Sequence, residues 1–230
     1  MHTCEDLIIK ESMCDCFRRL KLEHMFVIMQ DIAYKDLETY GCGRKSLLDN
    51  DIAFLLRRSI VNVINPIYAD ERIIAGTSQV AQQGMIYIRD FVLSRNDVIC
   101  VKATSQWFLC RVSDKSLMRP VIKTKSFKED AVDISISSKP EINANSFEQY
   151  DTIKVGYSLI DSNMHVNNTE YVSWACNALN AYKYLEKGVF NFDIYFKKET
   201  VLADVILLKY KDSTIYGTTE DNLNFISKFE

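Results

Sequence analysis

Asp161, Asn163 and His165 alternate within Ile160-Asp161-Ser162-Asn163-Met164-His165-Val166-Asn167-Asn168-Thr169-Glu170-Tyr171, which sets a carboxylate, an amide and an imidazole at every second position. If this backbone is extended, its period of two turns all three into one space. Asn167 or Asn168 then stands where a following helix wants its N-cap. The cap points free backbone N–H groups, and the positive end of the helix dipole, toward that same space. Such a corner can stabilise an oxyanion developing on a carbonyl. The residue types alone also fit a plainer reading, in which polar residues simply crowd a helix start.

Two helical patterns supply the scaffold. One runs from about Glu23 to Tyr40, with Met25, Ile28, Met29, Ile32, Ala33 and Tyr40 on one stripe and a stop at Gly41. The other runs from about Asn168 to Lys187, with Tyr171, Ala175, Ala178, Tyr182 and Leu185 on its stripe and a stop at Gly188. Around them lie strand-like runs, Ser59 to Ile64, Arg72 to Val80, Met85 to Leu93, Val98 to Val112, Thr152 to Leu159, Phe190 to Lys198, Val205 to Tyr210 and Leu223 to Phe229. The order reads strand, helix and a string of antiparallel strands, and then the same again. Only isolated identities support that repeat, such as Tyr68-Ala69-Asp70 against Leu202-Ala203-Asp204. A helix lying in a curled antiparallel sheet leaves open edges, and a tandem of two such units offers each half a neighbour. Residues 1–118 are the first half, the polar stretch 119–150 is the connection, and 151–230 are the second half.

The chain of 230 residues is 47% hydrophobic and 26% charged, with 7 glycines and 3 prolines, an ordinary globular balance. Its longest uncharged stretch, Ile73 to Ile88, includes Thr77, Ser78 and three glutamines, so no membrane span of about 18 apolar residues is expected. The opening residues build no basic region followed by an apolar one, so a cytoplasmic protein is expected. Seven cysteines without a CxxC pair fit reduced thiols better than disulfides. Cys14, Cys16 and His24 lack zinc-finger spacing, so no metal and no cofactor is expected. A net charge of −3 provides no general field for nucleic acid.

The segment Asp161, Asn163, His165, Asn167 and Asn168, followed by the aromatic Tyr171, resembles a motif of the acyl-acyl carrier protein thioesterases, double hot-dog enzymes of plants and bacteria. Tyr195-Phe196-Lys197-Lys198-Glu199 is similar to that family's strand ending in a catalytic glutamate. Arg89-Asp90, Ala103-Thr104-Ser105-Gln106-Trp107 and Arg119-Pro120 are similar to its paired strands in the first half. Taken alone, Glu199 also reads as a solvated carboxylate beside two lysines. The resemblance implies an α+β tandem hot-dog, each half a helix wrapped by a curled antiparallel sheet, with the acyl chain in the first half and catalysis in the second. It assigns Asp161, Asn163, His165 and Glu199 to the catalytic network. Asn167, Asn168 and the stripe residues Met25, Met29 and Ile32 are the candidate substrate contacts. Thr200 stands where plant members often carry cysteine, which excludes a thiol nucleophile at that position.

On this basis the expected reaction is hydrolysis of fatty acyl-acyl carrier protein to free fatty acid. Glu199 acts as general base on a water that His165 or Asn163 helps to orient, and the helix N-terminus with the Asn163 amide receives the oxyanion. Asp161 orients Asn163 or His165. The acidic carrier calls for a basic docking surface, with Arg57-Arg58, Lys123 with Lys125 and Lys128, or Lys197-Lys198 as candidates. A monomer or homodimer is expected; coenzyme A thioesters are the alternative substrate, and a non-catalytic acyl-binding hot-dog protein is the alternative class.

Overall fold

A computed structural model of the chain describes residues 1–134, 147–178, 180–220 and 222–230. The chain divides into two compact units, Met1–Ser135 and Ile136–Glu230. Of the stretch read as the connection, 135–146 lies outside the described residues.

The first unit runs β1 (Thr3–Ile8), α1 (Leu22–Glu38), α2 (Arg44–Asp49), β2 (Ile52–Val63), β3 (Arg72–Gln83), β4 (Ile86–Arg95), β5 (Val98–Arg111) and the short β6 (Leu117–Met118). Its strands pair antiparallel in the order β1-β3-β4-β5-β2, with β6 joined to β5. Helix α1 forms because Met25, Ile28, Met29, Ile32 and Ala33 recur at helical spacing, and all of them are buried. It packs against β3 and β1. Gly41, at φ +71°, ends the segment in the left-handed conformation that glycine adopts without strain. Asp36 of α1 is buried and paired with Arg89 of β4 at 2.8 Å. Beyond β6 the chain stays on this unit. Ile122 joins the core of Leu37, Leu47, Tyr87 and Leu109, the Phe127 N–H donates to Gln79 O at 2.9 Å, and the Val132 N–H donates to Asp90 Oδ2 at 2.9 Å.

The second unit runs β7 (Glu148–Lys154), α3 (Asn168–Cys176), α4 (Tyr182–Leu185), β8 (Phe190–Phe196), β9 (Val205–Lys211), β10 (Thr214–Thr219) and β11 (Asn222–Phe229). Its strands pair antiparallel in the order β8-β11-β10-β9-β7. Tyr171 of α3 meets the rings of Phe196 and Phe225, and the Tyr150 hydroxyl donates to the Trp174 carbonyl at 2.9 Å, which fixes the helix on its sheet. The single helix read over 168–187 is two, because α3 ends at a cap on Asn177. Asparagine competes for backbone hydrogen bonds and is a poor helix-interior residue.

Both units build the same loop before their long helix. In the second, the Asp161 N–H donates to His165 O at 2.8 Å, the Val166 N–H to Thr200 O at 2.9 Å and the Asn167 N–H to Leu159 O at 2.9 Å. In the first, the Asp15 N–H donates to Arg19 O at 2.8 Å, the Leu20 N–H to Ile67 O at 2.7 Å and the Lys21 N–H to Met13 O at 3.0 Å. Arg18 and Met164 share the left-handed conformation, at φ 62° and 64°. Arg19 bridges to Tyr68 as His165 bridges to Val201. The repeat is therefore real in backbone pattern, and its register sets Tyr68-Ala69-Asp70 against Val201-Leu202-Ala203, one residue away from the identity match in the sequence.

Candidate active site

The segment 161–165 is a tight turn rather than an extended strand. Asp161 Oδ1 accepts the N–H of Asn163 at 2.8 Å and that of His165 at 3.4 Å, while Oδ2 accepts the Asn163 side-chain amide at 3.1 Å. An aspartate hydrogen-bonded to backbone two residues on closes an Asx turn, and this preference overrides the strand period. The turn still gathers the predicted groups, since Asp161 and Asn163 touch directly and His165 leaves it toward the bridge with Val201. Asn167 is the N-cap of α3, its side-chain oxygen accepting the Thr169 N–H at 3.0 Å. Asn168 is the first residue of the helix.

His165 Nε2 lies 2.9 Å from Glu199 Oε2, with side-chain exposures of 15% and 40%. An ionised carboxylate only accepts, so when Glu199 is ionised the hydrogen of this contact comes from Nε2. A half-buried imidazole thus meets a carboxylate that is partly exposed to solvent.

The turn that presents Glu199 is held by two elements, β11 and α3. The N–H groups of Lys197 and Lys198 both donate to Asn224 O, at 2.8 and 3.2 Å. The Asn224 side-chain amide donates to Lys198 O at 3.3 Å and to Thr200 Oγ1 at 3.0 Å, and the Thr200 N–H donates to the Tyr171 hydroxyl at 3.2 Å. Thr200, Asn224 and Tyr171 are all buried. Burial pushes the Tyr171 phenol up to about 12, so it remains protonated. Sequence reasoning passed over Asn224; the signal that could have found it is an amide set between two large apolar residues, Leu223 and Phe225.

Met25, Met29 and Ile32 lie on α1 in the buried face of the first unit. Arg58, one of the basic candidates, is buried, and Arg57 lies over the Phe108 ring at 5.2 Å, whereas Lys197 and Lys198 are exposed beside Glu199. Cys176 is half-buried on α3. Among the described residues no group of three or more His, Cys, Asp or Glu could hold a metal ion, and no helix is long and apolar enough to cross a membrane.

A model of the acyl-ACP thioesterase N-terminal domain matches residues 3–121, and one of the acyl-ACP thioesterase C-terminal domain matches residues 142–227. Similar solved structures include an acyl-ACP thioesterase from Bacteroides thetaiotaomicron, at 16% identity and a TM-score of 0.83, covering 99% of this chain and 97% of that one. A putative oleoyl thioesterase from Lactobacillus plantarum is 14% identical with a TM-score of 0.77, covering 99% and 94% of the two chains. The 12:0-ACP thioesterase from Umbellularia californica is 15% identical with a TM-score of 0.75, covering 99% and 95%. No curated protein sequence matches. At these identities the structural likeness speaks for the fold, the double hot-dog with a helix against an antiparallel sheet in each unit.

Proposed function

The chain belongs to the acyl-acyl carrier protein thioesterase family and is a thioester hydrolase; from that premise we propose that it hydrolyses fatty acyl-acyl carrier protein, with Glu199 as the base that activates water. The observation that carries this reading is the 2.9 Å contact between His165 Nε2 and Glu199 Oε2. The carboxylate takes a proton from water as the water oxygen bonds to the thioester carbon. The oxyanion that forms is stabilised by backbone N–H at the start of α3 and by the Asn163 amide, each donor being worth about 3 kcal/mol. The Asn167 side chain and carbonyl engage the amides of Thr169 and Glu170, so the Asn168 N–H is the backbone donor assigned here. Collapse of the intermediate breaks the carbon–sulfur bond and releases a thiolate, which needs little acid assistance.

Thr200 cannot serve as a nucleophile on this reading, because it is buried and its hydroxyl oxygen is engaged by Asn224. Asp161 holds Asn163 and the backbone at His165 rather than meeting substrate. The buried stripe of Met25, Met29 and Ile32 is assigned to the acyl chain, and a bulkier residue at Met29 shifts preference toward shorter chains. The cytoplasm is the compartment that fits reduced cysteines and a carrier-bound substrate.

The test is hydrolysis of matched acyl chains on carrier protein and on coenzyme A, with Glu199→Ala as control. Faster turnover on the carrier and a hundredfold or greater loss in the variant are expected. Near-normal turnover in Glu199→Ala rejects the base assignment, and preference for coenzyme A rejects the carrier.

A further inference from the structure

The turn that carries Glu199 has a counterpart in the first unit. There the N–H groups of Ile64 and Asn65 both donate to Cys100 O, at 2.8 and 3.0 Å, as those of Lys197 and Lys198 do to Asn224 O. The Leu20 N–H reaches Ile67 O as the Val166 N–H reaches Thr200 O. This register makes Pro66 the counterpart of Glu199, Ile67 of Thr200, Cys100 of Asn224 and Arg19 of His165. At the same step along the following helix, Met25 is the counterpart of Tyr171.

The first unit thus makes the same backbone turn without the side chains that hold it in the second, the Asn65 amide donating instead to Ile99 O at 3.0 Å. Pro66 carries no carboxylate. Arg19, in the place of the imidazole, pairs with Asp15 at 3.0 Å and lies over the Phe17 ring at 4.3 Å. Ile67 and Met25 offer no hydroxyl, and the Cys100 thiol turns to its own strand, toward Val98 O at 3.6 Å. All three are as buried as the residues they replace. Burying an amide and two hydroxyls is costly where apolar residues serve, and Asn224 Oδ1 is left without a hydrogen-bond partner. The backbone fold therefore does not require this network, and it occurs in the unit that has the carboxylate.

We propose that Asn224, Thr200 and Tyr171 are positioning residues that clamp the turn 198–200 and so hold the Glu199 carboxylate at His165. None of the three touches the reacting atoms. Asn224 ties Lys198 O to Thr200 Oγ1 across Glu199, and Tyr171 fixes the peptide N–H that follows it. The inference rests on the assignment of Glu199 as the base.

The experiment measures kcat, KM and thermal midpoint on acyl-acyl carrier protein for Thr200→Val, Thr200→Ser and Tyr171→Phe, each also made in a Glu199→Ala background. Thr200→Val and Tyr171→Phe are close in shape to the native residues and remove one hydrogen-bonding group each. We expect kcat to fall about tenfold or more in both, as displacement of a catalytic group by about 1 Å can cost a hundredfold, with KM unchanged. Thr200→Ser restores kcat because it keeps the hydroxyl. In the Glu199→Ala background the same changes produce no further loss. Wild-type kcat in folded Thr200→Val and Tyr171→Phe beside an inactive Glu199→Ala overturns the clamp and leaves the base assignment standing. An equal loss in both backgrounds also overturns it, by showing an effect independent of the carboxylate. An active Glu199→Ala instead removes the reading on which the clamp rests.

Discussion

His165 and Glu199 meet at 2.9 Å, although one leaves a turn before α3 and the other stands just past the end of β8. Their contact makes the two side chains one unit, in which the imidazole fixes the direction of the carboxylate. Residues that act as a unit give non-additive losses when removed. His165→Ala is therefore expected to lose a large part of the turnover that Glu199→Ala loses, and the double variant to be no slower than Glu199→Ala alone. Steady-state rates of the three variants decide it, and losses that multiply in the double variant would show that the two residues act separately.

Asp15 and Asp161 occupy the same place in their loops, and each accepts the N–H of the residues two and four positions on. That shared pattern separates folding from catalysis. Asp15→Ala should lower stability by about 1–2 kcal/mol, the usual cost of stranding hydrogen-bonding partners, and leave kcat intact. Asp161→Asn keeps an oxygen for the backbone but turns an amide toward the Asn163 amide, so kcat should fall while the urea midpoint barely moves. A pair of variants with the same ratio of activity loss to stability loss contradicts this division.

Much of the fold can be read from periodicity. The stripe Met25, Ile28, Met29, Ile32 with its stop at Gly41 predicts α1, and the runs over 72–80, 85–93 and 98–112 are strands with ends close to those observed. Three strands escape such reading, the two-residue β6 among them. β1 alternates between half-buried and exposed positions without an apolar face, and β10 contains Gly217, where a Cβ would sit 2.5 Å from the Phe225 ring. The residue types of the site are legible in Asp161, Asn163 and His165, but their shape is not. Local Asx chemistry closes a turn that alternation reads as a strand. The meeting of His165 with Glu199 depends on pairing across the chain, and Asn224 enters from a strand, β11, whose sequence does not set it apart from Asn222 or Ser227.

The buried pair of Asp36 and Arg89 lies outside this chemistry and sets a pH dependence of stability. Burial pushes the Asp36 carboxyl up, but the Arg89 guanidinium and hydrogen bonds from His2 and Thr3 outweigh it and hold the group below the usual carboxylate range. A carboxylate depressed in the folded state adds stability above its unfolded value of about 3.9, and that contribution is lost as the pH falls through the lower folded value. Arg89→Met removes the main compensating charge, so burial raises Asp36 instead. The variant should lose about 3–5 kcal/mol near pH 7, and the deficit should shrink toward about pH 5 as Asp36 takes up a proton. Urea unfolding at the two pH values tests this, and a deficit independent of pH would falsify the pairing account.

Lys197 and Lys198 are the exposed basic residues next to Glu199, and their backbone N–H groups, not their side chains, hold the turn. Replacing both by alanine therefore removes charge without disturbing the hydrogen bonds to Asn224 O. An acidic carrier guided to this surface should bind less well to the double variant at low salt, with a KM raised several-fold and kcat unchanged. Salt between about 50 and 500 mM should raise the wild-type KM, since screening shortens the reach of exposed charges, and should move the variant much less. The same salt response in both proteins places carrier docking elsewhere, and a drop in kcat instead assigns the lysines to the turn itself.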